Sequence, residues 1–179
     1  MSKIGKKKIL IPKEVNLSIN GNCLDLKGPL GSKKFNLDTK LFEINFSKNN
    51  ELLIKPKIKN DDIKKIWGMN RSLLNNTVIG VNKGFVKTLE MTGVGYKAVI
   101  KDNSLNLQLG YSHGTDFDIP KDVKISVEKQ TIINISGLDK QLVGTVASKI
   151  KSLRPSEPYK GKGIKEKGEH IRRKEGKKK

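Results

Sequence analysis

The residues with the clearest capacity for binding chemistry lie near the C-terminus, in the stretch RPSEPYKGKGI from Arg154 to Ile164. Two prolines stiffen this backbone, and two glycines allow it to lie close to another surface. Tyr159 offers a flat ring for stacking, while Lys160 and Lys162 can neutralise phosphate groups. Segments that dock on folded RNA typically have a stiff backbone that can approach the RNA closely. They also carry local positive charge and an aromatic ring, as this stretch does.

The positive charge of the chain is concentrated around this stretch. The whole sequence of 179 residues has 37 Lys and Arg against 18 Asp and Glu, a formal net charge of +19. Between Lys149 and Lys179, thirteen basic and four acidic residues leave +9, about half of the total in about a sixth of the chain. So high a charge on a small protein is typical of a polyanion partner. We interpret the last six residues as a solvated, non-specific arm.

No group of residues in the sequence has the pattern of a catalytic or metal site. His113, His170 and the single Cys23 are too few for a standard zinc site, which needs about four clustered ligands. Cys23 lies in an alternating strand pattern and is interpreted as a small buried hydrophobe. The carboxylates are scattered and mostly adjacent to lysines. We therefore expect no catalytic residue, metal, cofactor or small-molecule substrate, and we predict that the protein is not an enzyme.

Two glycine motifs resemble nucleotide-binding loops only in part. GVGY at Gly93–Tyr96 lacks the third glycine of a dinucleotide fingerprint, and a strand is predicted after it instead of a helix. GKG at Gly161–Gly163 lacks the upstream glycine and the following Ser or Thr of a phosphate-binding P-loop. We interpret the first motif as a bulge or a tight approach between strands.

The sequence also argues against a membrane or secreted protein. The basic N-terminus has an apolar stretch of only Ile9 to Ile11, too short for a signal peptide, and no apolar run is long enough to cross a bilayer. The polar face of the first predicted helix is mixed and lacks the lysine stripe of a membrane-surface helix. A single cysteine fits a reducing compartment. These features predict a soluble cytoplasmic protein, with an organelle as the alternative location.

The hydrophobic periodicity predicts two successive units, each of which consists of strands followed by a helix. Alternating apolar residues indicate strands between Val15 and Ile54, with a turn at residues 48–50, and again between Phe85 and Ile135. Steps of three and four residues predict a first helix from about Asp62 to about Gly80, with Asp61 or Asp62 as its N-cap. A second helix ends before Pro155, because proline cannot continue it.

A repeated pentapeptide indicates that the two rounds arose by duplication. IPKEV at residues 11–15 returns as IPKDV at residues 119–123, and each copy begins a strand–turn–strand unit that ends in glycine. The predicted fold class is α+β: two similar domains, each a small, mostly antiparallel sheet covered by one helix, plus a basic C-terminal extension. The predicted boundaries are 1–82 and 83–153 for the two repeats and 154–179 for the extension, which is predicted to bind RNA.

The C-terminal stretch resembles the signature of the bacterial-type large-subunit ribosomal protein L6 family. The resemblance covers nearly the whole chain, and the order and spacing of its parts make it specific. The other matching stretches are SKIGKKKILIP at the start, KGPLG at Lys27–Gly31, LLNNTVIGVNKGF at Leu73–Phe85, LEMTGVGYKA at Leu89–Ala98, LGYSH at Leu109–His113 and GLDKQLVGTVA at Gly137–Ala147.

This resemblance implies a structural constituent of the large ribosomal subunit with a duplicated α+β fold. Its partners would be large-subunit (23S-type) ribosomal RNA, near the factor-binding region and the stalk base, and neighbouring large-subunit ribosomal proteins. Carried over position by position, the residues at or near RNA are Arg154, Pro155, Tyr159, Lys160, Gly161, Lys162 and Gly163, with Lys97 and Lys140 as additional candidates. The alternative for Lys140 is that it is a solvated residue in the first turn of a helix, without contact to RNA.

Among the positions that depart from the family's pattern, two affect these predictions. Lys165 is followed by Glu166 where the family tends to have an aromatic residue, so no stacking contact is expected there. We therefore place the end of the docking segment near Ile164 and expect residues 165–179 to become ordered only with RNA. Trp67 stands where the family often has a nearby histidine, and its place on the apolar helix face assigns it to core packing.

A protein of another class could share these features. A free nucleic-acid-binding regulator with the same fold would also be basic and would also lack catalytic residues. It would bind duplex DNA as strongly as ribosomal RNA, whereas a ribosomal protein would remain with large subunits.

Overall fold

The computed structural model describes residues 2–47, 50–58 and 60–176. The chain divides into two compact units, residues 1–84 and 85–179. Each unit consists of small antiparallel sheets and one long helix, so the α+β class predicted from the periodicity is confirmed. No helix among the described residues is both long enough and apolar enough to span a membrane.

The first unit contains two three-stranded sheets. In chain order its elements are β1 (Ile9–Leu10), β2 (Asn16–Asn20), β3 (Cys23–Gly28), β4 (Gly31–Asn36), β5 (Phe42–Ser47), β6 (Glu51–Pro56) and α1 (Asp61–Asn82). Antiparallel pairing gives the orders β1-β6-β5 and β2-β3-β4. The turn predicted at residues 48–50 lies mostly outside the described residues.

The second unit repeats this plan with one additional strand. Its elements are β7 (Phe85–Thr92), β8 (Lys97–Lys101), β9 (Ser104–Gln108), β10 (Thr115–Asp118), β11 (Val123–Glu128), β12 (Ile132–Gly137), α2 (Lys140–Leu153) and β13 (Gly163–Glu166). The sheet orders are β10-β9-β8 and β11-β12-β7-β13. Strand β13 pairs with β7 at the edge of the second sheet, so part of the segment predicted as an extension belongs to the sheet itself.

The hydrogen bonds of the two units show which residues are equivalent. Ile11 donates its backbone N–H to the turn between β5 and β6 at 2.9 Å, and Met91 donates to the turn between β11 and β12 at 2.8 Å. Leu37 donates to the β2–β3 turn at 2.8 Å, and Ile119 donates to the β8–β9 turn at 3.1 Å. Ile11 therefore corresponds to Met91, and Ile119 corresponds to Leu37.

The duplicated plan is thus present, but the pentapeptides that suggested it are not equivalent. IPKEV lies between β1 and β2, whereas IPKDV lies between β10 and β11. The two copies occupy different places in the repeated unit, so pairing them was wrong. Both are proline turns that enter a strand, with a backbone hydrogen bond of 3.0 Å from Val15 to Pro12 and of 3.1 Å from Val123 to Pro120. Both pentapeptides form the same kind of turn, which accounts for their similar sequences.

Helix α1 packs its apolar side onto the sheets of the first unit. Trp67 is only 5% exposed, and its indole Nε1 donates a hydrogen bond to the Ile54 carbonyl of β6 at 2.7 Å. The indole thus buries its large ring and satisfies its one polar atom at the same time. The assignment of Trp67 to core packing is confirmed.

The start of α1 differs from the prediction. Asn60 is the N-cap residue, and its side chain makes no capping hydrogen bond. Asp61 and Asp62 lie inside the first turn, where the helix dipole favours carboxylates, and they pair with Lys64 and Lys65. The prediction that one of these aspartates caps the helix was therefore wrong, because the helix begins one residue earlier than predicted and Asn60 occupies the N-cap position.

The buried indole hydrogen bond provides a test of the first unit. Trp67→Phe keeps an aromatic ring but leaves the Ile54 carbonyl without its donor, so we expect the free energy of unfolding to fall by about 1–3 kcal/mol. Urea denaturation followed by circular dichroism measures this, because the substitution removes the only tryptophan of the chain. The control is Ile66→Ala on the same helix, where the side chain is 38% exposed and the loss should stay below about 1 kcal/mol. Equal losses would contradict the role given to the indole.

Candidate nucleic-acid interface

The segment from Arg154 to Gly163, here named the 154–163 loop, connects α2 to β13 and is closed by its own backbone. Glu157 donates its N–H to the Lys162 carbonyl at 2.7 Å, and Gly161 donates to the Glu157 carbonyl at 3.0 Å. At the base, the N–H of Ile164 donates to the Arg154 carbonyl at 2.9 Å. The loop therefore has a defined shape that does not require a partner.

The two glycines of the loop have different tasks. Gly163 has φ +133°, and a Cβ there would lie 2.6 Å from both the Pro155 carbonyl oxygen and the Ser156 Cα. Its missing side chain allows the chain to approach itself, which differs from the predicted approach to an outside surface. Gly161 has φ +70°, and a Cβ there would meet only Arg173, at 3.9 Å. Gly161 alone leaves open space beside the backbone.

The tip of the 154–163 loop presents the side chains that were predicted to meet RNA. Tyr159 is 53% exposed, and Lys160 and Lys162 are also exposed. Pro155 is exposed as well, while its backbone forms a parallel bridge with Ile164. The structure thus brings together on one loop a ring, two cations and a rigid turn, as the sequence predicts.

Arg154 does not project freely, because its guanidinium lies over a tyrosine ring. The distance from Cζ to the centroid of the Tyr111 ring is 4.7 Å. Hydrogen bonds to Tyr111 and then to Tyr96 raise the pKa of Arg154 above its usual high value, so the group stays cationic. The Tyr111 hydroxyl in turn donates to the Leu153 carbonyl at the end of α2, at 3.0 Å. Arg154 therefore joins the helix end to the loop after β9.

Two glycines provide the space for the second tyrosine. A Cβ on Gly93 would lie 2.8 Å from the Tyr96 ring, and one on Gly110 would lie 3.3 Å from it. The GVGY motif therefore serves a close approach within the fold, in agreement with its interpretation. Together with the loop, the tyrosines line a cleft of about 440 Å³, formed by Tyr96, Tyr111, Arg154, Pro155, Glu157 and Lys162.

Sequence reasoning did not select Tyr96 or Tyr111 as parts of this site. The available signal was that both tyrosines closely follow glycines within stretches that match the family. Periodicity does not show which of several tyrosines will meet an arginine that is more than forty residues away. Only the fold brings Arg154, at the end of α2, over Tyr111 in the loop after β9.

The two additional candidates lie outside the 154–163 loop. Lys97 is exposed at the start of β8, next to Tyr96 of the cleft. Lys140 is the first residue of α2, whose 14 residues separate it from Arg154 by about 20 Å. Its Nζ lies 5.9 Å from the centroid of the Phe85 ring, and it lines a different groove with Lys87 and Lys149. The structure therefore does not bring Lys140 to the loop.

The chain after Ile164 is held by the second unit instead of leaving it. Lys165 pairs with Glu90 of β7 at 3.3 Å, and Lys167 donates its N–H to the Thr88 carbonyl at 2.9 Å. Further on, Lys174 donates its N–H to the Pro158 carbonyl at 3.0 Å. The fold therefore continues past Ile164, whereas the position at which the docking segment ends on RNA stays a prediction.

One carboxylate fixes the turn that follows β13. Glu169 accepts hydrogen bonds at 2.7 Å from Lys151 to both of its oxygens, and one at 3.0 Å from the Glu166 N–H. The bond from Lys151, followed by the one from the Glu166 backbone, lowers the pKa of Glu169. This ion pair ties the C-terminal segment to helix α2.

The described residues contain no cluster of His, Cys, Asp or Glu that could hold a metal ion. Cys23 is only half-buried in β3, whereas the sequence predicted a fully buried side chain. Its thiol lies 3.7 Å from an Asp25 oxygen. Neither histidine lies beside it in the chain, since one is in the loop after β9 and the other is in the C-terminal segment. The fold and the exposed cations of the loop are those of a basic, duplicated α+β protein.

Comparison with known proteins identifies the family. Residues 92–167 match the family described as Ribosomal protein L6. Over 179 residues, with both chains fully covered, the sequence is 44% identical to large ribosomal subunit protein uL6 of Phenylobacterium zucineum (strain HLK1) and 46% identical to that of Caulobacter vibrioides (strain NA1000 / CB15N). It is 47% identical over 180 residues, again with full coverage, to uL6 of Sphingopyxis alaskensis. The chain belongs to the ribosomal protein L6 family.

Membership confirms the resemblance that the sequence motifs indicated. The family consists of structural ribosomal proteins, so the prediction that this protein is not an enzyme is also confirmed.

The closure of the loop can be tested at Gly163. We expect Gly163→Ala to lower the free energy of unfolding by about 1–3 kcal/mol, because the new Cβ meets backbone atoms at a positive φ. Gly144→Ala is the control in the same unit: a Cβ there meets nothing within 4 Å, and alanine should stabilise the helix by about 0.5–1 kcal/mol. Urea denaturation measures both, and a neutral Gly163→Ala would contradict the proposed packing.

The ion pair of Glu169 predicts a pH-dependent contribution to stability. Because the folded state lowers the pKa of this carboxyl below about 4.5, the pair stabilises the fold above that pH, and the contribution is lost as the pH falls through the folded value. Glu169→Gln should therefore lower the melting temperature at pH 7, by an amount equivalent to no more than about 1 kcal/mol for a partly exposed pair. The difference from the unmodified protein should shrink at pH 3.5.

The matched control is Glu175→Gln, an exposed position of the same segment. It removes the same charge without removing an ion pair of the described residues, so its effect should be small at both pH values. If the effect of Glu169→Gln were independent of pH, the ion pair would not be its cause.

Proposed function

We propose that this protein is a structural constituent of the large ribosomal subunit and binds large-subunit ribosomal RNA through its second unit. The observation that carries the proposal is the 154–163 loop, which is closed by its own hydrogen bonds and presents Tyr159, Lys160 and Lys162 to solvent. A preformed loop avoids the entropy cost of ordering on binding. Its relatives, named as proteins of the large ribosomal subunit, support the same assignment.

The charge of the protein supports a polyanion as its permanent partner. A net charge of +19 on 20.0 kDa opposes compaction by self-repulsion, and RNA phosphates relieve it. The loop also provides a stacking surface, which charge alone does not, because an unpaired base can stack on the ring of Tyr159. We therefore propose that phosphates meet Lys160 and Lys162 while a base or sugar meets Tyr159.

The finer assignments follow from the family resemblance. We propose that the bound RNA lies near the factor-binding region and the base of the stalk, and that neighbouring large-subunit proteins complete the surroundings. The ribosome would be of the bacterial type, in the cytoplasm, since the relatives quoted above are bacterial. Crosslinking within purified large subunits, with both RNA and protein sites mapped, tests this placement directly.

The RNA interface can be tested by salt-dependent binding. We measure the affinity of the full chain for transcribed large-subunit ribosomal RNA over a range of KCl concentrations. If Lys160 and Lys162 each meet a phosphate, the double variant Lys160→Gln/Lys162→Gln should flatten the slope of log affinity against log salt by about 1.4–1.8. Tyr159→Ala should weaken binding by about 1–3 kcal/mol without changing that slope, because stacking releases no counterions.

Lys124→Gln serves as the control within the same unit. Lys124 is exposed on β11, at the opposite sheet edge from β13 and about 14 Å away across three strand spacings. It should have little effect on the slope. Equal effects at Lys124 and at the loop, or equal affinity for duplex DNA and for ribosomal RNA, would overturn the proposal. Substitution is preferred to deletion of the loop, because deletion would also remove the connection to β13.

A further inference from the structure

The C-terminal segment and the 154–163 loop together form a second cleft, and most of the residues that line it were not predicted as site residues. Its volume is about 480 Å³, and it is lined by Thr92, Lys160, Gly161, Lys165, Glu169, His170, Ile171 and Arg173. Only Lys160 and Gly161 were selected from the sequence. The other basic residues lie in the part of the chain that was interpreted as ordered only with RNA.

The charge inside this cleft is predominantly positive. Its one carboxylate, Glu169, is already held by Lys151, and Lys165 is paired with Glu90. Lys160 and Arg173 make no ion pair within residues 60–176, and neither does His170. Two lysines, an arginine and a histidine thus face a space in which the only negative charge is compensated. Such a space attracts an anion.

The position of Arg173 follows from the fold. The N–H of Lys174 donates to the Pro158 carbonyl at 3.0 Å, which holds the returning chain against the loop. The open side of Gly161 faces Arg173, whose Nη2 would lie 3.9 Å from a Cβ at that glycine. A side chain at position 161 would therefore fill the space between the loop and the guanidinium. Thr92, which is exposed at the end of β7, also lines the cleft.

We propose that this cleft holds a phosphate of an RNA backbone, bound by Lys160 and Arg173 with the Thr92 hydroxyl, and that the RNA contact therefore extends from the loop to residue 173. An arginine fork and a hydroxyl are suitable donors for phosphate oxygens. This inference rests on the proposed function and adds a defined subsite to it. It distinguishes Arg173, which faces the cleft, from its neighbour Arg172, which does not line it.

The adjacent arginines provide a matched pair for the test. Arg173→Gln and Arg172→Gln remove the same charge from consecutive exposed positions, so neither should disturb folding, which circular dichroism checks. The full chain is titrated with transcribed large-subunit ribosomal RNA at several KCl concentrations. Arg173→Gln should flatten the slope of log affinity against log salt by about 0.7–0.9 and weaken binding about fivefold near 0.1 M salt. Arg172→Gln should leave both close to those of the unmodified protein.

Two further variants separate a placed phosphate from general attraction. Thr92→Val changes no charge, and it should weaken binding severalfold with an unchanged salt slope if its hydroxyl donates to the phosphate. Gly161→Ala should also weaken binding by narrowing the cleft, and because its φ of +70° strains an alanine, urea denaturation checks that the variant remains folded. Equal effects of the two arginine variants would overturn the subsite while the loop variants could still support RNA binding. Absence of RNA binding by the unmodified protein would overturn the proposed function as well.

Discussion

The burial of Ile164 is the constraint on which the C-terminal half of this protein depends. Its side chain is fully buried in the core of the second unit, and its N–H is bonded to the Arg154 carbonyl. The chain therefore has to return to the sheet within ten residues of leaving α2. The prolines, the glycine at position 163 and the cross-loop hydrogen bonds are the means of making that return. The exposed tip of the loop keeps its shape because α2 holds one end of the loop and β13 holds the other.

The ion pairs of the second unit separate cations used by the fold from cations that remain available. Glu166 and Glu169 pair with Lys87 and Lys151, which ties the C-terminal segment to β7 and α2. These partly exposed pairs contribute little stability individually, but they compensate the carboxylates of β13 and of the turn that follows it. Lys160 and Lys162 of the loop make no ion pair within residues 60–176, and Glu157 is the one carboxylate of the loop. A charge count along the sequence cannot make this separation, since it treats all lysines alike.

Much of the architecture was predictable because it follows from local pattern. Alternation indicated the strands, and the period of the helices indicated the burial of Trp67. The errors arose where two local explanations compete. The two pentapeptides looked like a repeat because similar turns need similar residues. The aspartates in the first turn of α1 looked like caps because caps and first turns favour the same residue types. Strand β13 was not predicted because a four-residue edge strand rich in charge has little hydrophobic signal.

By itself the sequence determined the α+β class, the duplication, the concentration of basic charge and, through its motifs, the family. These properties follow from residue types and short spacings. Only the tertiary structure decided that Arg154 lies on Tyr111, that Gly163 serves the fold while Gly161 stays open, and that Arg173 faces the loop. Each of these depends on which strands pair and where a helix ends. Such contacts join residues distant in the chain, and no local pattern records them.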